Sequence, residues 1–257
     1  MPVPRQQVFK ANQTGANCLE RPKVIKCPGT GKYVLWAKGF APPRGEIKQA
    51  VVAIADSPLG PFELTDKGAF YSPAGTEMAD ATLYVDGDET WLFWRTVTNI
   101  TGATGKGGFM VAKLNSECTA LESEAGAKWI ADIRHEAPAV FKAGGKAYVW
   151  TSSTTGFRAN SAKLLVSVSG ALDGPYVEAG NPTHDPGSFS SQSTYILPNP
   201  AFKQGSGLAQ FIFIADRWQP NTTDFGRYLW LPLEVDSAAP INDTVAVTNP
   251  GSWMYGG

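Results

Sequence analysis

Four segments of the 257-residue chain repeat one pattern, and no other feature restricts the fold as much. They are ERPKVIKCPGTGKYVLWAKG from Glu20, DATLYVDGDETWLFWRT from Asp80, EAPAVFKAGGKAYVWTSST from Glu136 and QSTYILPNPAFKQGSGLAQFIFIADRW from Gln192. Each sets a polar residue ahead of a short β-rich strand, a Gly/Asp/Pro turn and an aromatic-rich strand. The leading polar residues stand 60, 56 and 56 positions apart. The turns GTGK, DGDE and AGGK suit hairpins, because Gly and Asp tolerate the positive φ such turns require.

Each unit continues into a third strand: QAVVAIAD (49–56), GFMVAKL (108–114), KLLVSVSG (163–170) and YLWLPLEVD (228–236). A weaker fourth follows in FELTDKG, KWIADI, YVEAGNP and TVAVTNP, and two units share a connector, SPLGPF and ALDGPY. No segment keeps a helical period of apolar residues. Units this short cannot each bury a core of their own, so four antiparallel strands per repeat read as the blades of an all-β β-propeller. The expected organisation is a single propeller domain over 1–257, with blades starting near 20, 80, 136 and 192. Residues 1–19 read as a tail or the end of a preceding blade. In such a fold the first strands line the channel in one direction. Glu20, Asp80, Glu136 and Gln192 are then expected to converge on one mouth.

Composition narrows the partners. With 43% hydrophobic residues, 18% charged and a net charge of −1, the chain has no electrostatic pull toward nucleic acid or an anionic membrane. No apolar run approaches the roughly 18 residues of a membrane span, and MPVPRQQVF has no signal-peptide core. His135 and His184 are the only histidines, and no His/Cys cluster has zinc-ligand spacing, so no metal or cofactor is expected; that spacing does not bear on a structural calcium, which stays open. TGATGKGG (101–108) lacks the phosphate-loop spacing and reads as a flexible blade loop. Trp36, Trp91, Trp94 and Trp150 lie in second strands, where packing between blades is the ordinary role. Cys18 and Cys27 are near enough in sequence to pair, leaving Cys118 free or paired elsewhere. Sequons at Asn12, Asn99, Asn221 and Asn242 lean toward secretion.

Carboxylates around a concave site suit glycoside hydrolysis: one acid protonates the leaving oxygen while a second group activates water or attacks. A nearby carboxylate keeps the acid protonated by like-charge repulsion. Glu136 and Asp80 fit such a pair. ERPKVI, DATLYVDGD, HEAPAVFKAGGKAYVWTSSTTGF, SQSTYILP, ADRW and YLWLPLEV together resemble family 43 glycoside hydrolases, most of all the exo-β-1,3-galactanase subgroup. That resemblance implies a five-bladed propeller, of which four blades are visible here. It also implies an inverting, secreted, exo-acting enzyme on β-1,3-galactan or related plant cell-wall polysaccharide; a monomer is expected. By the same resemblance Glu136 is the general acid, Asp80 its pKa modulator, and Glu20 a substrate-hydroxyl ligand. Gln192 stands where the subgroup places a Gln near the water. Phe157 and Trp218, in TTGF and ADRW, fall where sugar-stacking aromatics are expected. The alternative is a truncated or non-catalytic carbohydrate-binding propeller, since the family's first blade has no counterpart.

Overall fold

The computed structural model describes residue 9 and residues 19–40, 48–98, 104–131, 135–156, 158–217 and 227–251. Sixteen strands build four sheets of four among these residues. The first sheet holds β1 (Leu19–Lys26), β2 (Tyr33–Phe40), β3 (Lys48–Ala55) and β4 (Glu63–Tyr71). The second holds β5 (Ala81–Asp86), β6 (Glu89–Thr98), β7 (Thr104–Lys113) and β8 (Lys128–Ala131). The third comprises β9 (His135–Ala143), β10 (Lys146–Ser153), β11 (Ala162–Ser167) and β12 (Val177–Ala179). In the fourth are β13 (Gln192–Pro198), β14 (Phe211–Arg217), β15 (Arg227–Val235) and β16 (Val245–Val247).

Every sheet is an antiparallel meander in chain order, the blade pattern of a β-propeller. The hairpin turns use the residues that favour them: Gly31, Gly87, Gly144 and Gly145 all have positive φ. The two similar connectors also match in structure, each with a cis proline, at Gly60–Pro61 and Gly174–Pro175. TGATGKGG departs from the loop expected of it. Residues 101–103 lie outside the described residues, but from Thr104 the chain is already in β7. Gly108 explains part of this, since a Cβ there would run into the Trp129 ring and the Ala131 carbonyl. Its lack of a side chain lets β8 lie close.

The chain divides into two compact units, Met1–Ile133 and Arg134–Gly257. In the first, one apolar cluster joins the first two sheets through Trp36, Val52, Leu83, Trp94 and Met110. The Trp36 indole, buried, donates to the Cys118 carbonyl at 2.8 Å. Cys27 is disulfide-bonded to Cys118, with Cα atoms 5.9 Å apart, so its partner is not Cys18, which lies outside the described residues. The reason is packing: a Cβ on Gly29 would collide with the Ser116 backbone, so the turns carrying the two cysteines are in contact. In the second unit, Trp150, Phe141 and Leu164 of the third sheet pack on Phe213, Leu231 and Leu233 of the fourth. Trp36, Trp94 and Trp150 are thus core residues, as expected for second-strand tryptophans, while Trp91 is only half-buried.

Candidate active site

Three of the four leading polar residues, Glu20, Glu136 and Gln192, sit where the first strands deviate from regular pairing. Glu20 pairs with Lys38, and a one-residue register shift follows before Lys23 meets Trp36. Glu136 pairs with Ser152, and the same shift precedes Ala139 opposite Trp150. Gln192 pairs with Asp216, with a shift between Ser193 and Tyr195. Such bulges bend a strand and re-aim its side chains. In both Glu-X-Pro segments the middle residue is left-handed: Arg21 at φ 52° and Ala137 at φ 55°. Proline disfavours the right-handed helical region for the residue before it, and the left-handed region is strained for non-glycine residues. Two independent segments hold the same strained geometry beside a glutamate. Asp80 stands just before β5, anchored by the Arg95 amide, which donates to the Asp80 carbonyl at 2.8 Å.

In the first unit Lys38 links the two predicted acids. Its Nζ lies 2.5 Å from Glu20 Oε2 and 3.3 Å from Asp80 Oδ1, while Arg21 Nε stands 3.5 Å from Asp80 Oδ2. Lys38 and Asp80 are buried, and Glu20 is about half exposed. Two cations therefore offset two carboxylates, and the more open acid is the one able to meet a ligand. Sequence reasoning missed Lys38. The available signal was a lysine within the buried run YVLWAKGF, which needs a charged partner.

In the second unit Glu136 and Gln192 come together. Gln192 Nε2 donates to Glu136 Oε1 and to Ser152 Oγ, both at 2.9 Å. Ser193 Oγ donates to the Ala137 carbonyl at 2.7 Å, fastening the fourth sheet to the strained residue beside the acid. His135 is buried behind this point, its Nδ1 3.2 Å from Thr151 Oγ1. Burial first, then the Lys163 charge, lowers the His135 pKa to about 4, against a smaller opposing effect of Glu178. The imidazole is neutral at pH 7.

The approach to Gln192 is a turn that sequence reasoning did not find. Ser188, Phe189 and Ser190 are consecutively left-handed, at φ 48°, 58° and 55°. Asp185 Oδ1 accepts from the Gly187 and Phe189 amides, each at 2.9 Å. Arg217 donates through Nε and Nη2 to the Phe189 carbonyl at 3.1 and 3.0 Å. Ser188 Oγ donates to the Asn160 carbonyl and accepts from the Ala162 amide. Strain of this kind persists only where surrounding bonds over-determine it. A polar cavity of about 200 Å³ adjoins Gln192 beside this turn. Phe157 and Trp218 lie outside the described residues. Among the described residues, no group of three or more His, Cys, Asp and Glu side chains is placed to hold a metal ion.

Fold and motifs define a β-propeller of glycosidase type. Residues 10–194 match Glycosyl hydrolases family 43, and the chain belongs to that family. Two solved family 43 β-1,3-galactosidases are each 26% identical to it. The first has a TM-score of 0.72 over 93% of this chain and 46% of its own. The second, determined with galactodeoxynojirimycin, has a TM-score of 0.73 over 96% of this chain and 79% of its own. A structure described as a putative exo-β-1,3-galactanase from Bifidobacterium bifidum s17 shares the fold at 23% identity and a TM-score of 0.72, covering 92% of this chain and 71% of its own. Among curated proteins, none matches the chain.

Proposed function

We propose that the chain is an inverting, exo-acting glycosidase cleaving β-1,3-linked galactan or a related plant cell-wall polysaccharide side chain. The observation that carries this reading is the Glu136–Gln192 hydrogen bond at a strained, bulged strand end. Glu136 donates the proton to the leaving oxygen, and Asp80 tunes that acid. Glu20 grips hydroxyls of the terminal sugar, steadied by Lys38. Both Gln192 amide protons are spent on Glu136 and Ser152, so its role toward the attacking water falls to the Oε1 acceptor. The amide therefore orients water, and does not take its proton as a carboxylate base would. The two β-1,3-galactosidases among its structural relatives support the sugar and linkage. The disulfide accords with a secreted protein.

The decisive test is hydrolysis of β-1,3-galactan by wild type and Glu136→Gln. The variant is expected to lose turnover by several orders of magnitude while its circular dichroism spectrum stays unchanged, and near-normal turnover would refute the acid assignment. Proton NMR of the first-formed product tests stereochemistry. α-Galactose appearing first supports inversion, and β-galactose appearing first excludes it. Glycan binding by wild type with no product release would favour the non-catalytic alternative.

A further inference from the structure

The cavity beside Gln192 is walled by Asn160, Ser190, Ser191 and Arg158, with Gly156 and Ala159 contributing little bulk. At about 200 Å³ it holds about seven waters' worth of space, the scale of one sugar ring and not of a chain. Arg158 is the only charged residue among the described lining residues. Its backbone is fixed: the amide donates to the Thr155 carbonyl, and its carbonyl accepts from Thr155 Oγ1 at 2.6 Å. Asn160 is equally committed, bonding Ser153 and Thr155. The guanidinium, by contrast, has no hydrogen bond or ion pair among the described residues. The nearby acid, Asp185, gives its Oδ1 to two backbone amides. Arg217 is occupied with Phe189. Among the described lining residues the cavity thus presents one unspent cation and no carboxylate.

We propose that this cavity is a subsite for a carboxylated sugar, a uronic acid unit borne on the substrate, with Arg158 reading the carboxylate. A neutral galactosyl unit has no group that matches a planar, fully charged fork, whereas a carboxylate accepts two parallel N–H bonds from it. The Ser190 hydroxyl supplies a polar contact for the ring, and Ser191 Oγ, whose proton goes to the Ser188 carbonyl, supplies an acceptor. Because Gln192 contacts Glu136, the acidic unit is a branch on or next to the sugar being released. This inference rests on the glycosidase reading for the position of the branch, and on the cavity alone for its charge.

Calorimetry on the Glu136→Gln protein separates the two. The probes are β-1,3-galactotriose, the same trisaccharide with one glucuronic acid branch on its terminal galactose, and the methyl ester of that branched sugar. The acid is expected to bind at least about tenfold more tightly than its ester, in line with a hydrogen-bonded charge. In the Glu136→Gln/Arg158→Gln protein that ratio is expected to fall to about one. Equal binding of acid and ester, no binding of either, or a ratio that survives loss of Arg158 would overturn the subsite. Hydrolysis by the wild-type protein is measured separately. If it releases nothing while the acid preference persists, the glycosidase reading fails and the subsite stands.

Discussion

His135 shows how a single buried side chain reports on the site beside it. Its pKa, lowered to about 4 mainly by burial, lies below the usual 6.5. The unfolded chain therefore takes up a proton that the folded chain refuses. The stabilisation is fully present above about pH 6.5 and is lost as pH falls toward 4, amounting to roughly 3 kcal/mol over that window. Urea midpoints measured at pH 7 and pH 4 are expected to show this loss, and His135→Gln is expected to flatten it. A wild-type profile without such a slope would mean that His135 is hydrated in solution. Lys38 is the other informative residue. Lys38→Met leaves Asp80 buried with one cation fewer, so a loss of about 3 kcal/mol or more in stability is expected by urea unfolding.

Among the elements, the first strands and the turn before β13 matter most to the site. A regular strand would send Glu20 and Glu136 along the pleat. The one-residue bulges after them, with Arg21 and Ala137 left-handed, give both the same altered direction. The Ser188–Ser190 turn depends on Arg217. Arg217→Met is expected to cost about 2 kcal/mol, the scale of hydrogen bonds from a charged donor, and to expose the turn to limited proteolysis. If protease sensitivity is unchanged, the Asp185 and Ser188 bonds suffice to hold it. Gly108 supports β8 in another way: Gly108→Ala is expected to be destabilising, read as a drop in melting temperature, because its Cβ meets Trp129 and a backbone carbonyl.

For the whole molecule, the strongest covalent constraint lies within one unit. The Cys27–Cys118 disulfide spans 91 residues, and a loop of that length corresponds to about 4.6 kcal/mol in the chain-entropy account. Replacing both cysteines by Ala is expected to shift the chemical-denaturation midpoint of residues 1–133 downward. That shift should be followed with probes confined to that unit, such as exchange of the amides of β2 and β6. Equal loss of protection in β10 and β14 would show that the two units unfold as one.

The number of sheets, their meander order and the four leading polar residues could be read from the chain because they rest on local signals. Strand alternation, turn glycines and a repeat near 56 residues act between neighbours in sequence. The same locality explains what could not be read. Cys27 meets Cys118, Lys38 reaches Asp80, and Gln192 reaches Glu136, each through contact between different sheets. Three successive left-handed residues without a glycine have no signature in SFS, because bonds from Asp185, Ala162 and Arg217 impose them. The sequence by itself determined a four-sheet β fold with an acid or amide at the head of each repeat. Only the tertiary structure decided which partners those groups have, because sheet register and packing set distances that no local pattern carries.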